Sequence, residues 1–232
     1  MEKLTLEHIK EGQVLLFDKP LHWTSFQVVN KVRWLIKQKF DLKKIKVGHA
    51  GTLDPLASGL VILCTGKATK TIETLMGQTK VYTGEFTLGA TTPSYDMETE
   101  VDETFDSSHI TDKLIDQVLP QFQGEIMQRP PIFSALKKEG KRLYEFARKG
   151  EEVDIPKRQV KIDNFKILEN NLPKLKFKVQ CSKGTYIRSL AYDFGKALDS
   201  GAYLSELRRT QIGDYRVEDA LSVEDFQNLL ND

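Results

Sequence analysis

The sequence predicts an α+β fold with a mixed, mainly antiparallel central sheet flanked by helices and loops. Three observations predict it. The runs "GQVLLFDKP" and "GLVILCTG" read as buried strands, and "KVYTGEFTLGA" alternates with period two. "TSFQVVNKVRWLIKQ" and "ITDKLIDQVLPQF" repeat apolar residues at helical spacing. Strands both follow one another directly, as "QVKIDNFKIL" and "KLKFKVQC" do across "ENNLP", and alternate with helices.

In chain order, the first strand ends at Pro20. A helix follows, with Thr24 or Ser25 as N-cap and Phe26, Val29, Val32 and Ile36 on one face. After the second buried strand, "ATKTIETLMG" reads as a short helix stopped by Gly77. Residues 91–108 are polar and acidic and read as a loop, and the helix after it is interrupted at Pro120. Residues 127–150 form an insert opened by a double proline, filled by an amphipathic basic helix and ended by Gly150. "GTYIRSLAYDFGKAL" predicts a helix capped by Thr185, and "SVEDFQNLL" a last helix capped by Ser222. No repeat or low-complexity segment appears. A length of 232 residues predicts one large domain, or one domain plus a small lobe, and a single domain over 1–232 is expected.

Composition narrows the function. No apolar run reaches the roughly 18 residues of a membrane helix, and "MEKLTLEHIKEG" lacks a signal-peptide core. A cytoplasmic protein with no membrane partner is expected. Cys64 and Cys181 lie far apart in apolar segments, outside any Cys/His ligand spacing, so no metal site is expected. The net charge is only +1, but residues 31–46 hold seven basic side chains against Asp41 alone. Residues 137–149 and 157–178 are also basic, whereas the stretch from Asp96 to Asp116 is acidic. Such segregation suits a polyanionic partner.

Asp54 is the single carboxylate in "VGHAGTLDPLASGLVILCTGKATK". Asp-Pro favours a turn, yet Leu53, Leu56 and Leu60 crowd this one. An acid held among them is costly unless a cation pairs with it, and Arg188 in "KGTYIRSL" is a candidate. His49, beside Gly48, has no metal partner nearby, and Tyr82 sits on an alternating strand. Either ring could stack on a nucleobase. The phosphate loop GxxxxGK[ST], the GxGxxG fingerprint and the GxSxG elbow are all missing, which disfavours nucleotide-dependent chemistry and cofactors.

Four segments carry a family resemblance: "LLFDKP" with "TSFQVVNKVR", "GHAGTLDPLASGLVILCTGKATK", "RPPIFSALKKEGKRLYEFARKG", and "CSKGTYIRSLAYDFG" with "LRRTQIGDYRVEDA". Together they resemble the TruB-type tRNA pseudouridine-55 synthases over almost the whole chain. The resemblance implies the pseudouridine synthase catalytic fold and isomerisation of a uridine in the T-loop of tRNA by base flipping, with no cofactor. It implies that Asp54 is the nucleophile, that Tyr82 stacks on the base and accepts a proton, and that Arg188 pairs with Asp54. Leu207 would line the pocket, His49 would fill the gap left by the flipped nucleotides, and Lys19 and Pro20 would support the floor. A thumb at about 127–152, with Lys137, Lys138, Lys141 and Arg142, would grip the RNA. A monomer is expected, without the C-terminal PUA domain that family members often carry. His22 stands where the family commonly has glycine, so a different local turn is expected there. A folding chaperone for tRNA on the same scaffold is the alternative.

Overall fold

Thr24 ends the loop that follows Lys19 and caps the longest helix among the described residues. Its hydroxyl accepts from Gln27 N at 3.0 Å while the Gln27 side chain accepts from Thr24 N, a reciprocal capping box. These contacts come from a computed structural model that describes residues 4–138, 140–151 and 153–231. The chain divides into two units, one built from the chain up to Tyr82 and from Leu207 onward, the other spanning Thr83–Glu206.

The first unit begins with α1 (Leu6–Glu11), β1 (Val14–Lys19), α2 (Ser25–Lys39), β2 (Val47–His49) and β3 (Ala57–Thr65). A 3-10 turn, Gly66–Thr71, leads into α3 (Ile72–Gly77) and then β4 (Lys80–Leu88), which carries the chain into the second unit. That unit continues with β5 (Ala90–Thr91), β6 (Glu103–Thr104), α4 (Asp112–Val118), β7 (Gly124–Gln128), β8 (Lys137–Lys138), β9 (Lys141–Arg142) and α5 (Leu143–Ala147). β10 (Arg158–Asn171), β11 (Lys174–Cys181) and α6 (Ile187–Ala197) follow. β12 (Ala202–Ile212) returns the chain to the first unit, which closes with β13 (Tyr215–Arg216) and α7 (Val223–Asn231).

In the first unit β3 is the central strand. β1 runs antiparallel along one edge, from Val14 opposite Cys64 to Lys19 opposite Gly59. The other edge takes β2 antiparallel near Thr65 and β12 parallel at Ala57–Gly59. Both faces of β3 are covered. Leu63 packs with Val28, Val32, Ile36 and Phe226, whereas Leu60, Ile62 and Cys64 pack with Leu75, Ile212 and Val217. Burial on both faces explains an uninterrupted apolar run rather than alternation. Gly59 makes the parallel pairing possible. Its φ is +108°, and a Cβ there would lie 2.3 Å from Arg209 O.

In the second unit, β7, β10 and β11 pair antiparallel. Phe86, Phe165, Phe177 and Phe194 cluster at 4.2–6.2 Å between ring centroids and form the aromatic core of that unit. The mixed, mainly antiparallel sheet agrees with the sequence-based expectation.

Four local expectations are corrected. Phe26 is 59 % exposed and leaves the buried stripe of α2 to Ser25 and Val28, because Ser25 is tied to Leu53 by two hydrogen bonds and fixes the roll of the helix. The helix containing Arg188 starts at Ile187, not at a Thr185 cap. The Gln128 side chain accepts from Tyr186 N at 2.7 Å, and the Thr185 hydroxyl turns back to Ser182 O. The insert is not filled by an amphipathic helix. Gly140, with φ +82°, turns β8 back onto β9, and only five residues, Leu143–Ala147, are helical; Glu139 and Glu152 lie outside the described residues. Finally, His22 has φ +66°, so it adopts the left-handed conformation that glycine favours instead of a different turn.

Candidate active site

Asp54 lies on the loop between β2 and β3, in the first unit. Ala57 N donates to Asp54 O at 3.1 Å, which closes the Asp-Pro turn expected from sequence. The segments around that turn are fixed from three directions. From α2, Ser25 Oγ accepts from Leu53 N at 2.8 Å and donates to Leu53 O at 3.2 Å. From the β1–α2 loop, His22 N donates to Pro55 O at 2.7 Å. From β12, Arg209 reaches the loop and the strand after it. Its Nε donates to Leu60 O at 2.8 Å, and its two terminal nitrogens donate to Thr52 O and Gly51 O, each at 3.2 Å.

Arg209 is 1 % exposed. Its guanidinium is satisfied by carbonyls, so it places a full positive charge beside the loop without neutralising it there. Lys19, fully buried at the end of β1, adds a second cation. Its ammonium donates to Trp23 O at 2.7 Å and to Pro20 O at 3.0 Å. Burial pushes its pKa down to about 8, the Asp54 charge opposes that shift, and Arg209 adds to it. Pro20 therefore enters the site through its carbonyl. Beside them, Asp18 takes a two-pronged contact from Arg208 at 2.6 and 3.0 Å.

His49 is the last residue of β2, opposite Leu63. Burial lowers its pKa, the Gly51 backbone opposes this and the Arg209 charge reinforces it. Its Nδ1 is buried without a hydrogen bond. Tyr82, 9 % exposed, follows Val81, whose carbonyl accepts from the Thr210 hydroxyl. Leu207 pairs with Ala57, three residues beyond Asp54. The first unit thus carries Lys19 and His49 at the ends of β1 and β2, Pro20 and Asp54 on the loops beside them, and Leu207 inside β12 opposite the start of β3.

Arg188, in the first turn of α6, belongs to the second unit. It is 5 % exposed; one terminal nitrogen donates to Phe133 O at 2.9 Å and to Ser94 O at 3.4 Å. Its Nε lies 3.5 Å from a carboxylate oxygen of Asp96, which is equally buried. The same helix start holds the root of the insert, since Gln128 pairs with the Tyr186 backbone and Ser189 donates to Arg129 O. Lys137, Lys141 and Arg142 are exposed on the β8–β9 hairpin, while Lys138 donates to Asp154 O. Arg142 and Arg148 both lie over the Tyr144 ring, at 5.9 and 5.3 Å.

Sequence reading missed Ser25, Asp96 and Arg209. A signal for Arg209 existed in the tandem arginines of "ELRRTQI", since one of two adjacent strand residues must face inward. Among the described residues, no group of three or more His, Cys, Asp or Glu side chains could hold a metal ion. No helix among them is long and apolar enough to cross a membrane.

A chain with this mixed sheet, this loop-borne aspartate and its buried cations has clear relatives. It superposes on a chain of the archaeal box H/ACA sRNP Nop10-Cbf5 complex with TM-score 0.69 and 28 % identity, over 99 % of this chain and 57 % of that one. A chain of an H/ACA RNP bound to a substrate RNA containing 2'-deoxyuridine matches at TM-score 0.69 and 31 % identity, over 98 % of this chain and 56 % of that one. This chain therefore spans little more than half of those structures. Residues 37–187 match the N-terminal domain model of the TruB family pseudouridylate synthases, and residues 188–232 match the tRNA pseudouridylate synthase B C-terminal domain. The tRNA pseudouridine synthase B of Flavobacterium johnsoniae is 59 % identical over 98 % of this chain and all of its own length. That of Phocaeicola vulgatus is 57 % identical over 97 % of this chain and 95 % of its own length. The fold and the matches define a pseudouridylate synthase. Within that class, the chain belongs to the TruB family.

Proposed function

We propose that this chain converts uridine to pseudouridine at position 55 in the T-loop of tRNA, acting in the cytoplasm as a monomeric catalytic domain over residues 1–232. The names of its relatives support tRNA as substrate. The observation that carries the catalytic reading is the immobilised Asp54 turn, fixed by Ser25, His22 and Arg209. A nucleophile must be held in place while the base leaves, turns and reattaches.

In this reading the target uridine flips out of the loop at a cost of a few kcal/mol. Asp54 acts as the nucleophile, and the bond it makes to the nucleotide breaks again before release; the C1′–N1 bond breaks and a C1′–C5 bond forms. C5 then loses its proton, N1 gains one, and the reaction is redox-neutral. Tyr82 stacks on the base and accepts the C5 proton. Arg188 pairs with the Asp54 carboxylate. Lys19 and Pro20 support the floor, Leu207 lines the pocket, and His49, its pKa lowered by burial, fills the space vacated in the RNA loop. Lys137, Lys141 and Arg142 of the insert grip RNA phosphates.

The test is to incubate unmodified tRNA with the purified protein and map pseudouridine. Modification confined to position 55 is expected. Modification elsewhere, or none with tRNA still bound, would refute the assignment.

A further inference from the structure

A concave surface in the first unit is lined by none of the residues of the Asp54 turn. Its volume is about 680 Å3, and eight of its eleven lining residues are lysine or arginine, with no acid among them. Lys10 comes from α1, Arg33 and Lys37 from α2, and Lys43, Lys44 and Lys46 from the segment before β2. The frame is rigid. Arg33 donates to Val47 O at 2.9 Å and to Asn30 Oδ1 at 3.0 Å. Gly66, with φ +48°, admits the end of α1, since a Cβ there would lie 2.2 Å from Lys10 O. Gly66 N also donates to Lys46 O at 3.0 Å. Cations crowded on a fixed frame without counter-charges repel one another, and a row of phosphates relieves that repulsion.

The placement sets which phosphates these are. Ser25, at the start of α2, is bonded to Leu53 beside Asp54. Lys37 lies twelve residues further along the same helix, so about 18 Å separates the two at ~1.5 Å per residue. At ~2.8 Å per base pair of an A-form RNA helix, that distance is about six base pairs. We propose that this concavity is a remote anchor that grips the backbone of an RNA duplex arm about six base pairs from the reacting nucleotide. The proposal rests on the RNA-directed activity above. It assigns substrate affinity to a surface that never touches the reacting base.

The test combines Lys37→Gln, Lys43→Gln and Lys44→Gln, three substitutions outside the catalytic machinery. Binding and turnover are measured with full-length tRNA and with a T-loop stem–loop cut to about three base pairs. For full-length tRNA, Kd should rise by about tenfold or more at physiological salt, and the slope of log affinity against log salt should fall by about 2 to 3. Its saturating kcat and both constants for the short stem–loop should stay within about twofold. An unchanged salt slope for full-length tRNA would overturn the proposal, as would equal losses for both RNAs. So would a variant that keeps full RNA affinity but loses retention on phosphatidylglycerol vesicles. Wild-type protein that binds tRNA with the expected slope but makes no pseudouridine would refute the proposed function and still support the anchor.

Discussion

Arg209 fixes the approach to Asp54 on both sides of the turn. Its guanidinium binds the carbonyls of Gly51 and Thr52 before Asp54, and its Nε binds the carbonyl of Leu60 after it. The residue is buried, and none of these three acceptors is a side chain. Arg209→Met keeps much of the volume but leaves three carbonyls without their donor. A loss of about 3 kcal/mol or more is expected in denaturant unfolding, with kcat reduced by more than about tenfold. Arg209→Lys restores the charge without the planar fork. It should recover stability in part while kcat stays low. Full recovery of kcat by lysine would show that charge alone, and not positioning, is what the site needs.

Asp96 bears on the same question in the second unit. Its carboxylate is 3.5 Å from Arg188 Nε, and both side chains are about 5 % exposed. Asp96→Asn keeps the shape and removes the charge of one carboxylate that holds the buried Arg188 guanidinium. Stability should fall by about 2 to 4 kcal/mol, and kcat should drop as Arg188 loses its fixed position. Thermal unfolding and turnover of the same preparation check both.

Lys19 gives a pH dependence with a definite sign. Its pKa in the folded protein is pushed down to about 8, below the ordinary lysine value of about 10.4. The folded protein releases this proton first, so the unfolded chain binds more protons between about pH 8 and 10. This group's contribution to stability therefore rises with pH across that window. Activity should move the other way, because a neutral Lys19 no longer offsets the Asp54 charge. An alkaline limb in kcat/KM with a midpoint near pH 8 is expected for wild type and should vanish in Lys19→Arg. The same limb in both proteins would assign it to another group.

His22 carries backbone strain beside the site, with φ +66° and its N–H bonded to Pro55 O. Glycine takes this conformation without the Cβ penalty of about 1 kcal/mol. Relief of that penalty alone would raise Tm by about 2–4 °C, and the freer unfolded chain of His22→Gly takes back part of it, so a net rise below about 2 °C is expected. Turnover should be unchanged if only the backbone conformation matters. A fall in Tm would show that the imidazole makes a stabilising contact worth more than the strain.

The sequence made the strands and the Asp54 turn legible for physical reasons. β3 is buried on both faces and so reads as one apolar run, and Asp-Pro writes its turn locally. The tandem arginines hinted that one of them faces inward, but the partners of Arg209 were not legible, because they are main-chain carbonyls of residues about 150 positions earlier. Thr185 misled because α6 begins after Tyr186 without a side-chain cap, and the Tyr186 N–H is held by Gln128, 58 residues earlier in the chain. In the insert, good helix formers outweighed the one residue that mattered, Gly140, whose left-handed turn makes a hairpin. Local chemistry was readable, whereas contacts that depend on which strands meet were not. The role of Asp54 itself came from the family resemblance, not from its turn.

The central claim is that Asp54 is the nucleophile, and Asp54→Asn tests it most directly. The assay is tritium release from tRNA labelled at uracil C5, run with a parallel tRNA-binding measurement. The account predicts a fall in turnover of about 1,000-fold or more, with Kd within about threefold of wild type. Turnover within about tenfold of wild type would contradict it.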